Sequence, residues 1–142
     1  MTVTSTAAAV PTSVQESVDR LVRFLQTGAT DGLFAPDVFA DLTLPHWRVQ
    51  TVGADELVAM KSQLHQPGGR TLVEKVLAGS NGYTLKVEER WEDGGQSWYC
   101  REAFLCDLDG QGRISEFSVY CTGDWDEAAV AEHAKAVTLL RP

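Results

Sequence analysis

The sequence predicts an α+β fold, a cone-shaped α+β barrel in which a curved antiparallel sheet wraps around helices and leaves an internal cavity. Two observations favour this class: a helix–strand–helix order in the first half, and a run of β-patterned segments joined by glycine-rich turns in the second. The chain of 142 residues is long enough for one domain with a substantial core. We expect that domain to span residues 13–142, after a disordered N-terminal arm at residues 1–12.

The first predicted element is an amphipathic helix. Ser13 and Glu16 have the spacing of a capping box, in which each side chain satisfies a backbone N–H group of the first turn. Apolar residues then recur at helical spacing, and Gly28 is a typical residue to end the helix. The sequence therefore predicts one helix between residues 13 and 28.

A strand and a second helix follow. Residues 38–44 alternate in polarity and predict a strand, which Pro45 ends. Residues 45–54 predict a loop, and residues 55–65 a helix that a Pro-Gly-Gly sequence breaks. A further strand is predicted at residues 71–78.

The most informative pattern is a hairpin centred on a two-residue turn, Gly94-Gly95. This turn pairs Trp91 with Trp98. Because strand side chains alternate between faces, one face of the hairpin is then apolar except for two glutamates. That face consists of Tyr83, Leu85, Val87, Glu89, Trp91, Trp98, Cys100, Glu102, Phe104 and Cys106. We expect it to form the core or the wall of a cavity.

The end of the chain predicts a second hairpin and a helix. A four-residue turn at residues 109–112 would pair Cys106 with Ser115 and place alternate residues of the last strand on the same inner face. These residues are Ser115, Phe117, Val119 and Cys121. A second capping box, Asp124 and Glu127, predicts a helix that runs to about Leu140.

Composition and charge exclude several classes of function. The net charge of −8 leaves no basic surface for nucleic acid or for anionic membranes. No apolar run approaches the roughly 20 residues of a membrane span. The three cysteines are an odd number without metal-ligand spacing, so we expect a reducing cytoplasm and neither a metal nor another cofactor.

Glu89 and Glu102 are the principal candidate catalytic residues. They are diagonal neighbours on an apolar face, where desolvation and mutual repulsion raise the pKa of at least one carboxyl group, as acid–base catalysis requires. Contact with water or with a basic side chain would remove that effect. The remaining predicted pocket residues are Tyr83, Trp91, Trp98, Cys100, Phe104, Ser115, Phe117 and Val119.

Weaker candidates lie outside the hairpin. His46 would be a titrating base at the cavity mouth, although a lone loop histidine is more often a surface residue. Asp41 would be a pocket acid only if its strand bulges. His65 and His133 occupy polar helix positions, and we expect both to face solvent.

The chain resembles the nuclear-transport-factor-2-like superfamily, and most closely its SnoaL-like, polyketide cyclase-like branch. The residues that carry the resemblance are Leu33–Val38, Gly53–Leu57, Asp109–Ile114 and Val119–Asp126. The resemblance implies the cone-shaped fold, an internal ligand cavity, and a homodimer formed through the outer face of the sheet. It does not imply one activity, because this superfamily contains isomerases, cyclases, dehydratases, epoxide hydrolases and non-enzymatic members.

Two catalytic sets of the family are not preserved at the matching positions. The resemblance to ketosteroid isomerases would place the general base at Leu42, the oxyanion tyrosine at Leu21 and the protonated aspartate at Phe104. The resemblance to limonene-epoxide hydrolases would place an arginine near Arg101 but an aspartate at Val119. Neither standard chemistry is therefore expected.

Three functional interpretations remain open. The first is a cofactor-free cyclase, isomerase or dehydratase that acts on a small hydrophobic molecule through carboxylate acid–base chemistry. The second is a binding module that holds a ligand or a partner without chemistry. The third is a structural dimer whose cavity is filled by its own side chains.

Overall fold

The computed structural model describes residues 10–65 and 67–142, which contain three helices and one six-stranded sheet. The helices are α1 (Thr12–Thr27), α2 (Ala54–Leu64) and α3 (Glu127–Ala136). The strands are β1 (Phe34–Leu44), β2 (Trp47–Val52), β3 (Arg70–Ala78), β4 (Gly82–Asp93), β5 (Gln96–Leu108) and β6 (Ile114–Cys121). This order confirms the predicted α+β class. Within the described part, no helix is both long and apolar enough to cross a membrane.

The sheet has the strand order β2-β1-β6-β5-β4-β3. The antiparallel meander β3-β4-β5-β6 was predicted from the sequence. The pairing of β1 with β6 is parallel, so the sheet is mixed rather than antiparallel throughout. Strands β2 and β3 occupy opposite edges and do not pair with each other, so the sheet is not closed into a barrel.

Helix α1 packs its apolar stripe onto one face of this sheet, which we call the concave face. Its buried residues are Val14, Ser17, Val18, Leu21, Phe24 and Leu25. Gly28 ends the helix in the left-handed conformation (φ 80°), as predicted. The predicted capping box is wrong: the helix begins one residue earlier, after Pro11, and has no side-chain cap.

The β4–β5 hairpin has the predicted register in full, with Trp91 opposite Trp98 and Glu89 opposite Cys100. The β5–β6 register differs by two residues from the prediction, because an irregularity near Ser115 lengthens the connection. Cys106 therefore pairs with Phe117 rather than with Ser115. The parity of the rest of β6 is unchanged, so its apolar residues still face inward.

Two further expectations are wrong. The predicted loop at residues 45–54 contains strand β2, because Pro45 and His46 form a tight turn that returns the chain alongside β1. Helix α3 begins later than predicted: Asp126, rather than Asp124, accepts the capping hydrogen bond from the Ala129 N–H group at 2.8 Å. Asp124 is thereby available for a different contact.

Candidate functional site

A cavity of about 240 Å³ lies between the concave face, the end of α1 and helix α2. Most of its wall is apolar, and the side chains that form this part include Phe24, Leu42, Leu57, Phe104, Phe117 and Val119. The polar side chains that reach the cavity are Lys61, His65, Glu102, Cys121 and Asp124. A mostly apolar wall with a few convergent polar groups is typical of a small-molecule site.

Glu102 is the polar group with the most unusual environment. Its Oε1 atom is buried and has no hydrogen-bond partner among the described residues, and the same is true of Oε2 of the adjacent Glu89. Burial, followed by the proximity of Glu89, raises the pKa of Glu102 well above the ordinary value. Glu102 is therefore a protonated carboxylic acid over a wider pH range than an exposed glutamate, and it lies in the cavity wall.

Cys121 and Cys100 lie beside Glu102. The Gly123 N–H group donates to Cys121 Sγ at 3.4 Å. The hydrogen bond between the two thiols, together with this N–H group, lowers the pKa of Cys121 against the opposing effect of burial. The same hydrogen bond and burial raise the pKa of Cys100. The proton of the pair therefore stays on Cys100, and Cys121 has the more anionic sulfur.

Gly123 is required where the chain leaves β6. Its φ of 85° lies in the left-handed region, and a Cβ atom there would meet Pro45 Cγ at 2.8 Å. The close approach seats the β1–β2 turn against the end of β6. Pro45 and Gly123 both line the cavity on this side.

His65 and Asp124 form a hydrogen-bonded pair in the cavity wall. His65 Nε2 and Asp124 Oδ1 are 3.0 Å apart, and the imidazole ring packs on Trp91 with 4.4 Å between ring centroids. The expectation that His65 faces solvent is wrong. It directly follows the last residue of α2 and has an extended backbone (φ −136°, ψ 136°), so the helical periodicity does not determine the direction of its side chain.

The cluster of Cys100, Glu102 and Cys121 also has a geometry that a metal ion could use. One ligand atom of each residue lies within 4.8 Å of the others. A cation there would have to displace the protons that the raised pKa values keep on Glu102 and Cys100. Strand alternation already placed these three residues on one face, and the pairing of Glu102 with Cys121 between β5 and β6 brings them together.

The structure brings several predicted pocket residues together. Glu102, Phe104, Phe117 and Val119 line the cavity, and Cys100 contacts the polar cluster behind it. Trp91 reaches the site through His65, and Trp98 stacks on Trp91 with 6.5 Å between centroids. The hairpin register, which the glycine turn predicts, accounts for most of these positions.

Four other predicted site residues lie elsewhere. Tyr83 is buried in the core, where its hydroxyl group is 2.8 Å from Ser17 Oγ. Ser115 donates to the Asp107 carbonyl group at 3.3 Å, outside the cavity. His46 is exposed in the β1–β2 turn.

Asp41 lies on the opposite, convex face of the sheet. It accepts a hydrogen bond from Arg48 Nε at 2.9 Å, and this contact lowers its pKa. The strand does not bulge at this position, since Asp41 pairs regularly with Gln50 of β2. Its carboxylate is thus satisfied by a surface ion pair.

Comparison with known proteins identifies the fold. No protein-family model and no curated protein matches the chain. Among solved structures, an NTF2-like protein from Anabaena variabilis is 15% identical, with a TM-score of 0.66 over 83% of this chain and 96% of the other. A putative SnoaL-like polyketide cyclase from Jannaschia sp. is 14% identical, with a TM-score of 0.61 over 94% of this chain and 100% of the other.

A third solved structure carries a small molecule. This hypothetical protein from Catenulispora acidiphila has a ketosteroid isomerase-like fold and is in complex with trimethylamine. It is 16% identical, with a TM-score of 0.63 over 75% of this chain and 85% of the other. At these identities the comparisons establish the fold that the resemblance predicted, and they do not establish an activity.

Proposed function

Because the chain has the nuclear-transport-factor-2-like fold, we propose that its concave cavity binds a small, largely apolar molecule and transfers protons to and from it without a cofactor. The reaction would be an isomerisation, a cyclisation or a dehydration. The observation that carries this proposal is the buried, unpaired carboxyl oxygen of Glu102 in the same apolar cavity as the His65–Asp124 pair.

Glu102 would act as the acid. A carboxylic acid whose pKa is raised above the ordinary glutamate value donates a hydrogen bond or a proton to an oxygen that becomes negative during the reaction. The apolar wall strengthens this interaction, because little water competes for the donor. Glu89 contributes because its carboxyl group disfavours ionisation of Glu102.

His65 would act as the base. Asp124, at 3.0 Å from Nε2, orients the imidazole ring. Packing against Trp91 further restricts the ring. This assignment replaces His46, which the sequence suggested as the assisting base, with a histidine that lines the cavity.

Two of the similar structures support the proposal at the level of the fold. One is described as a putative polyketide cyclase and another holds trimethylamine, so proteins of this shape are associated with small molecules. The three free cysteines agree with a cytoplasmic location, in which thiols stay reduced.

The test is proton exchange on a bound ketone. Ligands found by a thermal-shift screen of apolar ketones would be incubated in D₂O, and deuterium uptake next to the carbonyl group would be followed by NMR. We expect Glu102→Gln and His65→Gln to slow uptake by about 10²-fold or more while ligand binding persists. His133→Gln is the matched control, because His133 contacts Trp125 outside the cavity. Equal uptake in all variants would contradict the assignment.

A binding protein without chemistry is the second candidate. It is favoured because the positions that match the family's catalytic residues, Leu42, Phe104 and Val119, are apolar and simply form the cavity wall. Tight binding of a ketone without deuterium uptake or conversion in the native protein would establish this alternative.

We also propose that two copies associate through the convex face of the sheet. Four large hydrophobic side chains of that face are exposed, namely Leu72, Leu77, Leu105 and Tyr120. Exposed apolar clusters of this kind are typical of interfaces. Sedimentation equilibrium should give a dimer mass that Leu105→Arg reduces to that of a monomer. A native protein that sediments as a monomer would contradict the proposal.

A further inference from the structure

Cys121 is a cavity residue with a nucleophilic thiol that the proton-transfer function does not use. It lies at the end of β6 and lines the cavity beside Glu102. The other two cysteines are fully enclosed: Cys100 is 0% exposed and Cys106 is 2% exposed. Among the three thiols, only that of Cys121 lines the cavity, where a bound molecule would contact it.

The surroundings of Cys121 favour its thiolate form, which is the reactive form of a cysteine. The Gly123 N–H group and the Cys100 thiol both donate toward its sulfur. A protonated His65 ring in the same cavity lowers the pKa of Cys121 further, whereas burial and the carboxylate of Asp124 act against these effects. By contrast, burial raises the pKa of Cys106 to about 12, so that thiol stays unreactive.

Glu102 supplies an independent indication of the ligand. Its Oε1 atom is buried without a hydrogen-bond partner among the described residues, and its raised pKa, to which the neighbouring Glu89 carboxyl group contributes, keeps it able to donate a hydrogen bond. A carbonyl oxygen is an acceptor that suits such an acid. An apolar molecule with a carbonyl group at Glu102 would place its neighbouring carbons near the cluster that contains Cys121, since one atom of each residue lies within 4.8 Å.

We propose that Cys121 adds covalently to α,β-unsaturated carbonyl compounds bound in the cavity. In this step the Cys121 sulfur forms a bond to the β-carbon and the C=C π bond breaks. The electron pair moves to the carbonyl oxygen, which Glu102 stabilises by its hydrogen bond. The proton lost by the thiol reaches the α-carbon through His65, so one thiol adds across one double bond and no oxidant or reductant takes part.

The inference rests on the proposed function only in requiring that the cavity admits an apolar ketone. Two probe molecules separate binding of the ketone from covalent addition to it. 4-Phenyl-3-buten-2-one is an unsaturated ketone, and 4-phenyl-2-butanone has the same skeleton without the double bond. The saturated ketone reports binding by NMR titration, and the unsaturated one reports addition by mass spectrometry.

The experiment uses freshly reduced protein in a chelating, oxygen-free buffer, so that neither a disulfide nor a metal ion occupies the thiols. We expect a single adduct that peptide mapping places on Cys121. At equal pH it should form at least tenfold faster than the adduct of glutathione, with a pH midpoint below that of glutathione. Cys121→Ser should abolish the adduct, and Cys106→Ser, the matched control, should retain it. Glu102→Gln should slow addition at least tenfold.

Each other outcome is decisive. If the saturated ketone binds but the unsaturated one does not modify Cys121, or modifies it no faster than glutathione, this inference is overturned and the proposed function stands. An adduct that persists in Cys121→Ser also overturns it. If neither ketone binds, the cavity does not admit such molecules and both proposals fail.

Discussion

The two ends of the concave face of β4 and β5 belong to the same strands but differ in how their polar groups are satisfied. At the end we call the closed half, the Tyr83 hydroxyl group is paired with Ser17 at 2.8 Å within a core that includes Leu85. At the other end, the site half, Glu89 and Glu102 each keep a buried oxygen without a partner. The comparison shows that burial of a polar group does not by itself indicate function. The proposed site rests on a buried oxygen without a partner in a residue that also lines a cavity.

The largest difference between the halves should appear when an apolar side chain is shortened. Leu85 is 0% exposed and Leu64, which lines the cavity, is 42% exposed. We expect Leu85→Ala to lower the free energy of unfolding by about 2–5 kcal/mol. Leu64→Ala should lower it by less than about 1 kcal/mol. Urea denaturation measures both, and equal losses would show that the two ends are packed alike.

The next effect concerns the hydrogen bond of the closed half. Tyr83→Phe leaves the buried Ser17 hydroxyl group without a partner, which should cost about 1–3 kcal/mol of stability. Ser17→Ala combined with Tyr83→Phe should recover part of that loss, because no polar group is then left unpaired. Ketone binding should be unchanged in both variants. A loss of binding would place Tyr83 in the site, where the sequence had suggested it.

In the site half, the titration of Glu102 should make the stability of the protein depend on pH. Because the pKa of Glu102 is raised on folding, the unfolded chain loses this proton at a lower pH than the folded chain. The contribution of protonated Glu102 to the free energy of unfolding is therefore fully present below the ordinary glutamate pKa. This contribution falls as the pH rises toward the pKa that Glu102 has in the folded chain, by at most about 1.4 kcal/mol per pH unit for one group.

Glu102→Gln removes this titration. The variant should be as stable as the native protein in acid and more stable near neutral pH, measured by urea denaturation across the pH range. The control is Glu116→Gln, which changes an exposed glutamate of β6. A constant difference between Glu102→Gln and the native protein at every pH would show that Glu102 ionises normally.

The smallest effect is expected on the convex face. Asp41 is satisfied by Arg48 and Gln50 at the surface. Asp41→Asn should therefore leave ketone binding and deuterium uptake unchanged, as measured in the NMR assays above. A large loss of either would return Asp41 to the list of site residues.

Much of the fold could be predicted because local turn chemistry determines it. The Gly94-Gly95 turn has a defined length, and it set the β4–β5 register and the inward face correctly. The β5–β6 register was wrong because the irregularity near Ser115 has no clear sequence signature. Strand β2 was missed because the turn that starts it uses His46, a non-glycine residue at positive φ (59°).

The site was predictable only where it follows strand alternation. Glu89 and Glu102 could be found because their parity places them on an apolar face. His65 and Asp124 could not, because each lies just beyond a regular element, where helical or strand periodicity no longer determines direction. Their contact joins parts of the chain 59 residues apart and depends on how α2, which packs on β1 and β2, places its C-terminal end beside the segment that follows β6.

The central claim is that the site half holds a protonated acid in a ligand cavity, and the titration of Glu102 itself tests it most directly. The measurement is the pH dependence of the ¹³C chemical shift of its side-chain carboxyl group, assigned by comparison with Glu102→Gln. We expect this resonance to keep the shift of a carboxylic acid well above the pH at which Glu116 ionises. A bound ketone should perturb the Glu102 resonance and leave that of Glu116 unchanged. Titration of Glu102 together with Glu116, with no response to the ketone, would contradict the claim.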